Sequence, residues 1–318
     1  MTALLLAALC QAAPLSMPSL LDVLAARGSA VDSNAAAGAA AEAVARLVDP
    51  GARFFDAAEA AAFEAAGAGA TGAPPVLTDL GEGLVMLRAP ALNAAAATLM
   101  ATGLTQAGAE GGGVILDCRG AAGSDLAAVD AIAGHFAEPD TFLYAIQDGA
   151  GEDLDLHAAS AAVRASVPVL MLVDGGTRGA AELLAALFTE PRGVLLVGSR
   201  TRGDAARRET VRLTEGRLAV MATGWFARPD GSTWQGEGVP PHVTVEPGAG
   251  PGSAVRTNLT SRTGKPLDDL ARRHLELFAR VRDDAALARA VDLLLGLKAL
   301  AIYPETSHAL EPRAADCR

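Results

Sequence analysis

Lysine is almost missing from this chain: Lys265 and Lys298 are the only two among 318 residues, set against 37 acidic side chains. The formal net charge is −11 and the pI is near 4.9, which argues against a nucleic-acid partner, because neutralising phosphates takes clustered Lys and Arg. The densest basic run, 200–208, has Asp204 inside it and reads as a solvated loop. Cys10, Cys118 and Cys317 lie far apart with no C-x-x-C pair, so neither a zinc site nor a disulfide framework is expected. The five histidines form no H-x-x-x-H pair, and neither a metal nor another cofactor is implied. Aromatics make up only 4% of the chain, so any core must be aliphatic. No apolar run is long enough to span a bilayer; LLLGLKALAI at 293–302 is short and broken by Lys298.

What is present is apolar and rich in turns, at 51% hydrophobic residues with 34 glycines. The length suits one large domain or two small ones. The opening MTALLLAALCQAAPLS has a short apolar run followed by small residues, like a signal peptide over 1–18. It lacks a basic leader, and Leu9 is too large for a good lipoprotein cleavage site before Cys10. The competing reading is the start of a buried helix. An exported, periplasmic protein follows from the first reading and a cytoplasmic one from the second.

Residues 19–72 read as an alanine-rich helical segment, in which Asp49-Pro50 ends one helix. Asp56 caps the next, with Glu59 as its capping-box partner. GAGATGAPP at 67–75 is a breaker-rich linker. The region 73–250 alternates apolar strands (GLVMLRA, VILD, TFLYAIQ, VPVLMLVD, GVLLVG) with helices, including ones near 156–164 and 180–188. Continuous apolar strands alternating with helices imply parallel pairing with both faces buried, an α/β fold. After Arg208 a hairpin-rich segment is expected around the turn Arg228-Pro-Asp-Gly231. Residues 251–302 read as two helices broken near Asp283-Asp284, and 303–318 as a loose tail.

One stretch carries the functional question. DGGTRGAAELLAALF, starting at Asp174, ends an apolar strand on two glycines and enters a helix. This is the shape of an active-site turn, yet it contains no serine, cysteine or histidine.

Four blocks in order resemble the carboxy-terminal processing, or tail-specific, serine peptidases of family S41. GGGVILDCRGAAGSDLAAVDAIAGHF is similar to their G-L-I-L-D-L-R-N-N-P-G-G segment. VPVLMLVDGGTRGAAELLAALFTEPRGVLLVGSRTRG resembles P-V-x-V-L-V-N-x-G-S-A-S-A-S-E followed by L-V-G-x-x-T-x-G-K-G. WFARPDGSTWQGEGVPPHVTV looks like Y-x-T-P-x-G-x-x-I-Q-G-x-G-I-x-P-D, and RDDAALARAVDLLLG like the terminal D-x-Q-L-x-x-A-L-x-L-L. The resemblance implies a ClpP/crotonase-like core, a spiral of β-β-α units, with helical segments on both sides.

It also implies a Ser–Lys dyad, and this chain lacks both partners. Anchored on Glu182, the nucleophile position falls on Gly179, and the flanking family serines become Thr177 and Ala181. Continuing without a gap through Gly198, the lysine position falls on Asp204. The resemblance places Gly123, Gly179 and Asp204 around one site. It further implies an oxyanion-type backbone cradle from Gly123, Ser124, Gly179 and Ala180, which can hold a carbonyl or carboxylate without a serine side chain. About twenty residues, 64–83, separate the N-terminal helices from the core, too few for the family's usual PDZ domain.

Other nucleophiles have to be weighed. Thr177 and Ser199 are candidates with no evident base; Ser124 reads better as a helix cap and Cys118 as inert core. Lys265, Lys298, His135 and His157 are the remaining bases, with the histidines read as surface or interface residues. The leading expectation is a non-catalytic member that binds a peptide or protein C-terminus or acts as a scaffold. The first alternative is a working peptidase with a relocated dyad, and the second a crotonase-type acyl-thioester enzyme. If the assignment holds, Gly179→Ser together with Asp204→Lys is expected to rebuild the dyad.

Overall fold

Short apolar runs stopped by glycine, proline or aspartate build the centre of the protein. In a computed structural model that describes residues 32–66, 73–159, 164–189, 193–246 and 269–300, these runs are strands of one largely parallel sheet. The chain divides into two units, residues 1–65 with 209–222, and residues 66–208 with 223–318.

In the first unit, helix α1 (Ser33–Val48) stops before Asp49-Pro50. Asp49 is buried, and its carboxylate accepts hydrogen bonds from the amides of Gly51 (2.9 Å) and Ala222 (2.8 Å). Strand β1 (Arg53–Phe55) follows. Helix α2 (Ala57–Ala66) starts on a capping box: Asp56 Oδ1 accepts from the amides of Ala58 and Glu59, and Glu59 Oε2 accepts from the amide of Asp56.

The second unit holds a six-stranded sheet. Its strands are β2 (Val76–Gly81), β3 (Leu84–Arg88), β4 (Gly113–Asp117), β7 (Val169–Val173), β8 (Val194–Gly198) and β11 (Val243–Thr244). The order is β11-β8-β7-β4-β3-β2, parallel throughout except for β2, which pairs antiparallel with β3. Alternation along a strand sorts side chains to opposite faces, and both faces are apolar here. In β7, Val169, Met171 and Val173 join the core on one side, while Leu170 and Leu172 join a separate cluster on the other. Helices α3 (Ala94–Ala109), α4 (Leu126–Gly134) and α5 (Ala180–Leu187) supply the first core. Every residue of α5 is buried, which its alanines permit at close range. Leu277 and Val281 of α6 (Asp269–Val281), with Leu287, Ala290, Val291 and Leu294 of α7 (Ala285–Ala299), supply the second.

A second sheet in this unit pairs β5 (Phe142–Gln147) antiparallel with β6 (Asp153–Ala158) and with the end of β10 (Leu218–Ala227). The start of β10 pairs with β1 in the first unit.

Three expectations need correction. The apolar run TFLYAIQ makes no parallel pair: its strand, β5, pairs antiparallel with β6 and β10, since the five-residue connection from Gln147 to Asp153 reverses the chain where a parallel neighbour needs a long crossover. Residues 153–158 form a strand, not the start of a helix at 156; DLDLHA alternates with the period of two that a strand requires. The strand connection after Arg208 also lies elsewhere. Strand β9 (Ala206–Arg212) pairs with β10 across a tight 3-10 turn at Thr214–Gly216. The turn at Arg228 does form, with the Gly231 amide donating to the Arg228 carbonyl at 2.8 Å, but it follows β10 rather than joining two strands. The leader-like run, Lys265 and the tail at 303–318 lie outside the described residues. Among the described residues no helix is long and apolar enough to cross a membrane.

The break between α6 and α7 is set by Asp284, whose carboxylate caps α7 through the Leu287 amide at 3.0 Å. The same carboxylate takes two bonds from Arg119, at 2.8 and 2.7 Å. Arg119 also forks onto the buried Asp117 at 2.9 and 2.8 Å. One guanidinium therefore ties the end of β4 to the start of α7. Removing it leaves Asp117 with Arg88 and the residue-119 amide, and an undercompensated buried charge costs about 3 kcal/mol. Arg119→Ala should lower the urea unfolding free energy by about that amount. Arg273, exposed and 3.8 Å from Glu82, should change it by less than about 0.5 kcal/mol on the same substitution; equal losses would contradict this account.

Candidate functional site

Open parallel sheets present their ligand sites at the carboxyl ends of the strands. Here four connections leave those ends: 89–93 after β3, 118–125 after β4, 174–179 after β7 and 199–205 after β8. Gly123, Ser124, Thr177, Gly179, Ser199 and Asp204 fall on these connections, and Ala180 starts α5.

Asp174, the last residue before the glycine pair, organises the first contact. Its Oδ1 accepts hydrogen bonds from the amides of Gly120 (2.8 Å), Gly176 (2.9 Å) and Thr177 (3.1 Å). Thr177 is fully buried; its hydroxyl donates to the Cys118 carbonyl at 2.9 Å and accepts from the Asp174 amide at 3.0 Å. That hydroxyl is a structural tie. The turn continues with the Arg178 amide on the Ala121 carbonyl (2.9 Å) and the Ala180 amide on the Gly123 carbonyl (3.0 Å).

Gly179 sits between these two bonds at φ 60°, ψ −130°, a conformation strongly unfavourable for any residue with a Cβ. A Cβ built there would lie 2.6 Å from the Gly123 carbonyl oxygen. The missing side chain has let the two turns close against one another. The proposed cradle is therefore smaller than expected, because the Ala180 amide already has an acceptor. Rebuilding the dyad also meets an obstacle: a serine at 179 requires the Gly123 turn to retreat.

The base position is occupied differently again. Asp204 receives Nη1 of Arg208 at 2.6 and 2.7 Å from its two oxygens. Its amide, with that of Gly203, donates to Glu182 at 2.8 and 2.6 Å. Glu182 is completely buried on the first turn of α5 and also accepts from the Thr201 hydroxyl. Thr201 is itself buried and accepts from the Val239 amide at 2.7 Å. The Arg202 amide donates to the Thr177 carbonyl at 3.1 Å. Through Glu182 and these amides, the loop carrying Asp204 is laced to the turn carrying Gly179. Burial pushes the Glu182 carboxyl above its ordinary value, and the Thr201, Gly203 and Asp204 donors offset only part of that rise.

The other sequence candidates are dispersed. Ser199 is half-buried, with its amide on the Val173 carbonyl. Among the described residues no lysine or histidine hydrogen-bonds to the hydroxyl of Ser199 or Thr177. Ser124 is exposed and does not cap α4; that cap is Asp125, one residue on, accepting from the Ala128 amide at 3.1 Å. Cys118 is buried, and its thiol is pushed far up by desolvation and by Asp117, so no thiolate is available. Lys298 donates to the Glu82 carbonyl at 2.9 Å, just before β3 begins and so at the amino end of the parallel strands. His135 closes the far end of α4. His157 lies on β6, stacked 4.4 Å from Tyr144, with Nδ1 2.9 Å from Asp130. Among the described residues no group of His, Cys, Asp and Glu could hold a metal ion.

Sequence reasoning missed the organising roles of Asp174, Thr201 and Glu182, and the Arg208 partner of Asp204. An acid ending a buried strand just before two glycines was the available signal for Asp174. Nothing local marks Thr201.

A family model described as peptidase family S41 matches residues 84–245, half of the chain. The carboxy-terminal-processing protease of Bartonella bacilliformis is 27% identical over 79 residues, which make up 25% of this chain and 18% of that protein. Among solved structures, the photosystem II D1 C-terminal processing protease matches with a TM-score of 0.50 at 22% identity, over 68% of this chain and 54% of that one. A Parabacteroides merdae protein provisionally described as a peptidase matches with a TM-score of 0.51 at 16% identity, over 76% and 72% respectively. The chain thus spans about half the length of the D1 processing protease and far less of the Bartonella relative. The shared architecture is the ClpP/crotonase-like core that the four blocks imply.

Glu182 allows a test of the site's electrostatics. A carboxyl whose folded pKa is raised stabilises the fold fully below its unfolded value, near 4.5, and loses that contribution as pH rises through the folded value. Glu182→Gln removes this titration. The urea midpoint of the variant, relative to the parent, should therefore improve as pH rises above about 4.5. A constant difference would mean that Glu182 keeps an ordinary pKa.

Proposed function

The chain belongs to peptidase family S41, and we propose that it is a non-catalytic member, a pseudoprotease that uses the fold to bind a peptide or protein C-terminus or to act as a scaffold. The observation that carries this reading is Gly179 at the nucleophile position, its missing Cβ replaced by the close approach of the Gly123 carbonyl. Hydrolysis of a peptide needs an activated nucleophile, a base to take its proton and donors for the oxyanion. The first has no side chain. The second is an aspartate already paired with Arg208. Of the donors, the Ala180 amide is committed to Gly123.

Binding makes lighter demands. The amides of Gly123, Ser124 and Gly179 can hold a carbonyl or carboxylate oxygen without a serine. The connection between α2 and β2, from Ala66 to Val76, is too short to hold a PDZ domain, which supports recognition by the core itself. The leader-like run at 1–18 fits an exported, periplasmic protein.

A fluorophosphonate probe tests the reading, since it needs an activated hydroxyl but no particular peptide sequence. The parent protein should label no more than its Thr177→Ala and Ser199→Ala variants, and should leave casein intact. Labelling of the parent that disappears in the Ser199→Ala variant would establish a relocated nucleophile and overturn the proposal.

A further inference from the structure

Among the described residues, two arginines beside the Gly179 turn have no partner for their side chains. Among the described residues every other arginine has a partner of some kind: a carboxylate, as for Arg88 and Arg208, a carbonyl, as for Arg200 and Arg280, or a ring, as for Arg53. Arg178 and Arg202 have none, and both are exposed. They are also neighbours. The Arg202 amide donates to the carbonyl of Thr177, the residue before Arg178, at 3.1 Å. Two guanidinium groups thus leave backbone segments held one hydrogen bond apart, next to the vestigial nucleophile position.

Nearby carboxylates do not compensate them. Asp174 is committed to three amides and to Thr177. Glu182 is buried under Thr201, Gly203 and Asp204. Asp204 holds Arg208. The two arginines leave adjacent backbone segments and like charges repel, and in a chain of net charge −11 a compensating acid would be easy to place. The planar guanidinium fork matches a carboxylate in shape and charge.

We infer that Arg178 and Arg202 form a carboxylate-recognition pair at the Gly179 turn, selecting bound peptides by an anionic carboxylate. This rests on the peptide-binding reading of the same site. The carboxylate has two sources, a free C-terminus or an Asp or Glu side chain, and the pair supplies the same chemistry to both.

The test uses the full chain and three rhodamine-labelled pools of randomised decapeptides. The first has free C-termini and no Asp or Glu, the second has amidated C-termini with Asp and Glu, and the third is amidated and lacks both acids. Anisotropy titrations should show the third pool binding at least about ten-fold more weakly than the better of the other two. Whichever acidic pool binds better identifies the source. The double variant Arg178→Gln/Arg202→Gln should bind all three alike, with an unchanged thermal midpoint, because neither side chain has a partner to lose. If the parent binds all three pools equally, or the double variant still discriminates, the carboxylate inference is overturned while peptide binding stands. If the parent binds no pool, the peptide-binding reading fails and takes this inference with it.

Discussion

The hydrogen bond from the Ala180 amide to the Gly123 carbonyl decides what this site can be. It joins the turn after β4 to the first residue of α5, and it runs past Gly179 at a separation that no Cβ tolerates. In an enzyme with a serine at this position, that space belongs to the nucleophile's own carbon. Here the backbone has taken it. Glycine at 179 therefore sets the backbone packing of the two turns, and the Ala180 amide is engaged within them.

Around this contact the scaffold is held by buried or half-buried acids. Asp174 gathers amides from two turns, Glu182 gathers the loop after β8, and Asp117 with Arg119 fixes the end of β4 to α7. Each carboxylate satisfies amides that would otherwise be lost among buried groups, where an unmade hydrogen bond is expensive. These ties hold the turns at the carboxyl ends of the parallel strands in place. A common architecture carries sites of different chemistry, so the fold alone does not set the function.

Much of this was legible in the residues themselves. The five-residue apolar strands, the Asp56–Glu59 capping box and the helix break at Asp284 follow from local rules, and the alternation of strands with helices pointed to parallel pairing. The strand at 153–158 escaped because its leucines alternate with acids on an exposed edge, where little apolar content announces it. Placing Gly179 and Asp204 required a resemblance, since glycine and aspartate in turns look ordinary in isolation. The closure at Gly123 was not legible at all. It depends on the distance between two turns some fifty residues apart in the chain, and a one-residue side-chain deletion leaves no periodic trace. The unpaired state of Arg178 and Arg202 was equally hidden, because it depends on which acids the fold has already engaged.

Hydrogen exchange at Ala180 reports directly whether its amide is engaged by the Gly123 carbonyl. Engagement predicts strong protection of Ala180 in the parent protein, comparable to amides inside α5, and loss of that protection in Gly179→Ser, where the added carbon must push the Gly123 carbonyl away. Exchange of Ala180 at the rate of an open turn in the parent, with no change on Gly179→Ser, would mean that the cradle is open and that the site has kept the room a nucleophile needs.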